Sequence, residues 1–271
     1  MVEIGDFKIS TVTVDKLWLD GGAMFGSVPK NLWAKRIEPD QQNRIPLGCR
    51  LLKIESASKT YLVDTGCGDK WEDKPRAIYG IENLAPLPTE VDSVILTHLH
   101  FDHGGGVSRL SENGKPVATY EKASVYVNRI QYEHARNPEV RDRASFIDEN
   151  ILPLSNMNLN LVEDGVELES GISLHQVDGH TPGLQWIKLS NGDKTLAYPS
   201  DLIPTAHHLD LPYIMGYDLS AEKTLVEKRS FLEQASDQDW TIVFEHDLQT
   251  EAVRIILDKS GKVKIKEKLE I

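Results

Sequence analysis

Cysteine is almost absent from this sequence, with only Cys49 and Cys67 among 271 residues. Two thiols cannot build the disulfide framework of a small secreted scaffold, and both read as reduced. Positive charge is also short: 30 Lys and Arg stand against 42 Asp and Glu, giving a formal charge of −12 with no basic run. That balance disfavours a polyanionic partner, because nucleic-acid binding draws heavily on Lys and Arg. No stretch approaches the roughly 18 consecutive apolar residues of a membrane span, and the opening residues Met1 to Lys8 lack the basic-then-apolar pattern of a signal peptide. These absences lead us to expect a cytoplasmic protein acting on a small molecule, without nucleic-acid or membrane partners; homo-oligomerisation stays open. No Gly/Ser linker, low-complexity stretch or strict repeat divides the chain, so residues 1–271 read as one domain with enough apolar content to bury a sizeable core.

Alternation and β-branched or aromatic content predict strands at Lys8–Val14, Tyr61–Asp64, Val94–Thr97, Ser124–Val127, Ile172–Val177, Thr195–Tyr198 and Trp240–Phe244, with about six weaker strand pieces besides. Ser220 followed by Glu222 marks a helix start, and Leu225, Phe231, Leu232 and Ala235 place an apolar stripe on a helix ending near Ser236. The segment Leu19–Ile45 reads as a long ordered loop, or a lid, carrying Met24, Phe25 and Trp33.

Ionisable residues fall where strands end. The run from Thr97 to His103 reads THLHFDH: His98 and His100 alternate by two and can share one ion, while Asp102 and His103 turn toward another. Gly104, Gly105 and Gly106 follow at once and permit tight backbone turns. Three further strand ends lead into His180 (within GHTPG), Asp201 (within PSDL) and His246 (within FEHD). Neutral imidazoles and carboxylates suit zinc, iron, manganese or cobalt, and the lack of clustered thiols argues against a structural zinc site.

Together with the Asp64-Thr65-Gly66 turn, this ordered set resembles the metallo-β-lactamase superfamily over residues 60 to 247, and its THLHFDH and GHTPG segments are similar to those of single-domain lactonases, acyl-homoserine-lactone lactonases among them. The resemblance implies an α/β fold, a four-layer αβ/βα sandwich of two mixed sheets flanked by helices. It implies His98, His100 and His180 on one ion, Asp102, His103 and His246 on a second, Asp201 bridging them, and Asp64 holding the ligand loop through hydrogen bonds. Two divalent ions, zinc first, would generate a bridging hydroxide that attacks a small ester or lactone, with Asp102 as the catalytic carboxylate that orients it or carries its proton. Thioester hydrolysis of the glyoxalase II type, organophosphate hydrolysis and mononuclear-iron persulfide dioxygenation are the alternative chemistries.

One departure bears on substrate. Where those lactonases carry a tyrosine three residues after the bridging aspartate, this chain has Pro204. Thr205, His207, His208, Tyr213 or Tyr217 are left to take its role, and Phe25, His207, Tyr213 and Tyr217 are expected at the pocket wall. His134, His175 and Cys67 read as structural.

Overall fold

Neighbouring apolar residues on the central strands face opposite ways, as the period of two demands, and here both faces are covered. In the computed structural model, which describes residues 2–271, Leu62 and Val94 belong to one buried cluster while their neighbours Val63 and Ile95 belong to another. Ala197 and Ile242 likewise pack in a third cluster, and the adjacent Tyr198 and Val243 join the second. The result is four layers: two sheets packed face to face through the second cluster, each with helices and loops on its outer face.

The first sheet runs in the order Val2–Ile4, Phe7–Asp20, Arg44–Glu55, Thr60–Val63, Ser93–Ile95, Ser124–Asn128, Asn158–Val162. It is antiparallel through Thr60–Val63 and parallel thereafter. The second runs Glu167–Glu169, Ile172–Val177, Leu184–Asn191, Lys194–Tyr198, Thr241–Val243, Ala252–Leu257, Val263–Leu269, with one parallel pair at Lys194–Tyr198 and Thr241–Val243. Both sheets are therefore mixed, in accord with the α/β sandwich expected. Helix Ala221–Asp237 covers the second sheet with Phe231, Leu232 and Ala235, and the Ser220 hydroxyl caps it by accepting from Lys223 N at 3.3 Å. No helix among the described residues is long and apolar enough to cross a membrane.

Two expectations change. The segment read as a loop from Leu19 to Ile45 is regular over about half its length: the flanking strands reach Asp20 and restart at Arg44, with short helices Gly21–Phe25 and Lys30–Trp33 between them. Met24, Phe25 and Trp33 are buried in the first cluster. The strand expected at Val94–Thr97 stops at Ile95, because the amide of Thr97 is taken by the Asp64 carboxylate rather than by a neighbouring strand.

Candidate metal centre

The chemistry-bearing side chains gather at one edge of the sandwich, on the connections that leave the strands. His98 to His103 follow Ser93–Ile95, His180 follows Ile172–Val177, Asp201 sits in a single 3-10 turn after Lys194–Tyr198, and His246 follows Thr241–Val243. The backbone pays for this placement at two non-glycine residues of positive φ, Asp64 at 60° and Ser200 at 49°, a conformation that side chains resist and that persists only where surroundings hold it. At Asp64 the hold is visible: Oδ1 accepts from Thr97 N at 2.7 Å, Oδ2 accepts from Thr97 Oγ1 at 2.7 Å, and His103 Nδ1 lies 3.1 Å from Oδ2. At Ser200 the hydroxyl donates to Thr97 Oγ1 at 2.9 Å, joining the two sheets beneath the site.

The glycine run fits for steric reasons. A Cβ on Gly105 would lie 2.2 Å from the Cys67 carbonyl oxygen, and one on Gly106 would lie 2.3 Å from that of Thr65. The half-buried Lys70 ammonium clamps the same turn by donating to the carbonyls of Gly105 and Ser108.

Two donor groups result. His98, His100, His180 and Asp201 form one, and Asp102, His103 and His246 form the other, with the donor atoms of each within 4.8 Å of one another. His100 Nδ1 stands 3.0 Å from His98 Nε2 and 3.1 Å from His180 Nε2, while His103 Nε2 stands 3.2 Å from His246 Nε2. Asp201 faces both groups, with Oδ2 3.2 Å from His180 Nε2 and Oδ1 3.0 Å from His246 Nε2.

Outer contacts decide what these nitrogens can do. His180 Nδ1 is 2.8 Å from Asp218 Oδ1, His246 Nδ1 is 2.6 Å from the Gly48 carbonyl oxygen, and His103 Nδ1 is 3.1 Å from Asp64 and 3.0 Å from Glu245. In these three histidines the outer nitrogen has an acceptor and carries the proton, which turns the inner Nε2 into a lone pair. Lone pairs that face each other at about 3 Å repel unless a cation lies between them. Tetrahedral zinc with bonds of about 2.0–2.1 Å sets its ligand nitrogens about 3.3–3.4 Å apart, close to what is seen, so the residues fit a metal pair.

The charges agree. Burial pushes His98 and His100 well below the ordinary imidazole range, with the neighbouring histidines adding to it, and keeps them neutral donors. Burial also opposes a proton on His103 and His246, yet the carboxylates of Glu245 and Asp201 outweigh it and raise both, His246 to about 9. The centre of the cluster calls for positive charge.

A cavity of about 300 Å³ opens on this cluster. His100, Asp102, His180, Asp201 and His246 form its floor, and Leu19, Met24, Leu47, Phe101 and Met215 supply apolar wall. Among the residues expected at the wall, Tyr217 lines it. Phe25 does not: it is fully buried, stacked on His208 at 4.7 Å and on Trp33 at 5.3 Å, because the short helix turns it into the core. Tyr213 stands edge-on to Phe25 beneath the Arg36 guanidinium, away from the cavity lining. His207 is half-buried outside the lining, its carbonyl accepting from Arg36 Nη1 at 2.9 Å. His208 is internal, bonded to Thr205 Oγ1 and the Met24 carbonyl, and burial pushes its pKa down to about 3. Pro204 gives its carbonyl to His246 N at 3.0 Å.

A sequence profile described as the metallo-beta-lactamase superfamily matches residues 52–246. The chain belongs to that superfamily. It is a metal-dependent hydrolase of the metallo-beta-lactamase fold, with lactonase-like relatives. An N-acyl homoserine lactonase from a Bacillus species is 25% identical over 238 residues, covering 79% of this chain and 86% of that one. A probable metal-dependent hydrolase from Staphylococcus aureus superposes with a TM-score of 0.90 at 26% identity, over 100% of this chain and 99% of that one. AidC, a dizinc quorum-quenching lactonase crystallised with a product, superposes with a TM-score of 0.79 at 18% identity, over 100% of this chain and 97% of that one.

Sequence reasoning passed over several residues that this member of the superfamily brings to the site. Glu245 sits directly before His246 in the FEHD run, and that adjacency is the one available signal. Asp218, Tyr79, Arg141 and Asp142 carried no spacing signal at all, since each arrives from a connection remote in sequence from the ligands.

Proposed function

We propose that this chain hydrolyses the ring ester of a lactone, or a similar small ester, at a centre of two divalent cations, zinc first, shared across Asp201. The observation that carries this reading is the convergence of five imidazoles on one carboxylate at the floor of a largely apolar cavity. When bound there, two cations supply Lewis acidity at the carbonyl and acidify the attacking water. His98, His100 and His180 would hold one, and Asp102, His103 and His246 the other, with Asp64 and Glu245 fixing the outer nitrogen of His103, Asp218 that of His180 and the Gly48 carbonyl that of His246. Asp102 lines the cavity as well as joining the second group, so one of its oxygens can accept the proton released by the nucleophile. The apolar wall excludes water around the acyl portion. Tyr217 supplies a phenol to that wall; burial, with Asp20, Tyr79 and Asp102 nearby, raises it to about 12, so it stays a donor to a substrate oxygen at neutral pH. The free thiols of Cys49 and Cys67, 3.7 Å apart, support the cytoplasm as its location.

Metal content measured beside a panel of lactones, carboxylic esters, thioesters and phosphotriesters tests the reading. It expects two metals per chain and oxygen-independent lactone opening, with turnover falling and the second metal held more weakly in Asp102→Asn. One iron per chain with oxygen uptake, or turnover of thioesters alone, overturns it.

A further inference from the structure

Among the described residues that line the cavity, Arg141 is the one Lys or Arg. It belongs to the rim: Arg141 is exposed, whereas the candidate ligands on the floor are buried. A solvated arginine ordinarily samples many rotamers, but this one is tied down. Its Nη2 donates to the Gly216 carbonyl oxygen at 2.5 Å, bridging the mouth to a remote segment. Gly216 is anchored in turn, its amide donating to the Ala23 carbonyl oxygen at 2.7 Å. The segment that carries Arg141 is pinned to the ligand loop, because the Ser145 carbonyl oxygen accepts from Phe101 N at 2.9 Å, between His100 and Asp102.

The charge of this guanidinium is not neutralised inside the protein. Of the carboxylates in the lining, Asp102 and Asp201 belong to the two donor groups. Asp142, next in sequence to Arg141, has its Oδ2 held by His134 Nε2 at 2.7 Å. Among the described residues Arg141 forms no ion pair, and most of its N–H donors stay open beside the one that Gly216 takes. The cavity thus combines a ligand floor, an apolar wall from Leu19, Met24, Leu47 and Met215, and a single cation at its rim. One guanidinium balances one negative charge. A carboxylate carries that much, whereas a phosphate dianion leaves an excess that a protein of net charge −12 repels.

We infer that the cavity takes lactones or esters whose acyl portion ends in a carboxylate, with Arg141 as the residue that receives it. This rests on the hydrolase reading above and narrows its substrate class. The open N–H donors of Arg141 hold the carboxylate while the methylene spacer lies on the apolar wall. Arg141 meets the substrate away from the bond that breaks, so it acts on binding rather than on the chemical step.

The test uses the metal-loaded enzyme and homoserine lactones N-acylated with succinate, adipate or suberate, each beside the uncharged acyl chain of equal length. Wild type should prefer the carboxylate at the length that reaches the rim. That preference in kcat/KM should fall about 5- to 10-fold in Arg141→Gln, through KM and at unchanged metal content. The fall is near the lower edge for a hydrogen bond to a charged group because the rim is open to solvent. Arg141→Lys should recover part of it, and added salt should narrow the wild-type preference. Arg143→Gln controls for the general field of charge: Arg143 is likewise exposed but lies outside the lining, and its ratio should stay within twofold of wild type. No preference at any length, a ratio in Arg141→Gln within twofold of wild type, or an equal fall in Arg143→Gln overturns the inference and leaves the lactonase reading intact. If wild type opens no lactone of either kind, that reading fails and calorimetry decides this one. Succinate, adipate or suberate should then bind tighter than the monocarboxylate of equal length in wild type and lose that advantage in Arg141→Gln; equal or absent binding overturns it.

Discussion

Asp218 offers a way to weaken one half of the centre without touching a ligand. Its Oδ1 lies 2.8 Å from His180 Nδ1, and both side chains are almost fully buried. In Asp218→Ala the imidazole loses the acceptor that fixes its tautomer and leaves a buried N–H unpaired. A hydrogen bond to a charged group contributes about 1.5–3 kcal/mol, which corresponds to roughly a 10- to 150-fold change in affinity. Losing the outer partner of a ligating histidine typically costs about 10- to 100-fold in metal affinity or activity, so the two routes agree. Asp218→Asn keeps an oxygen for Nδ1–H and loses the charge; with charge-assisted bonds roughly twice as strong as neutral ones, it should sit between Ala and wild type. Competition with a chromogenic chelator at fixed pH reads both sites separately, and circular dichroism confirms the fold. The loss should fall on one of the two metals, the one held by His98, His100 and His180. Wild-type affinity at both sites in Asp218→Ala would refute the argument that this carboxylate sets the ligand.

Three further outcomes follow from the geometry. Chelation should lower the melting temperature by roughly 5–10 °C, since ligand at about 100 times its Kd stabilises by about 2.7 kcal/mol and a chain of this size shifts by about 2–4 °C per kcal/mol; scanning calorimetry with and without metal would show no change if the ligands were satisfied by one another. Gly104→Ala should cost under about 0.5 kcal/mol, because its nearest neighbour to a Cβ is 3.6 Å away, whereas Gly105→Ala and Gly106→Ala meet carbonyl oxygens at 2.2 and 2.3 Å and should lose several-fold in metal affinity or fail to fold; urea unfolding of all three decides it. Burial pushes the Lys228 ammonium down to about 7. A base with a depressed folded pKa favours the fold fully only above its unfolded pKa of about 10.5. Wild type should therefore gain stability relative to Lys228→Met as pH rises from 7 toward 10.5, and a flat difference in urea midpoints would contradict this.

The clustering side chains were legible because a candidate metal centre concentrates unusual residue types at strand ends, and four of them lie within the six residues His98 to His103. The layers were legible less directly: strands buried on both faces read as apolar runs without alternation, as in Val94, Ile95 and Leu96, which run past the strand's end at Ile95, so their ends blur. Carboxylates that orient ligands look like any loop acid. Asp218 and Arg141 acquire their roles only when distant connections meet, and Phe25 misled because an apolar residue on a pocket-bordering segment can face either the pocket or the core. Here Trp33 and His208 take its two ring faces.

The first sheet is complete by Val162 and the second begins at Glu167, yet neither donor group lies within one of them. On the proposed reading each ion would draw on both halves of the chain, through partners 80 and 143 positions apart at His100 with His180 and His103 with His246. An unfolded chain gathers such distant ligands only against a large loop-closure entropy, so the centre assembles after the sheets have docked. Ions bound there would act as late staples across the seam between N- and C-terminal halves, slowing its opening far more than they hasten its formation, and the persistence of the fold would then be tied to the supply of metal.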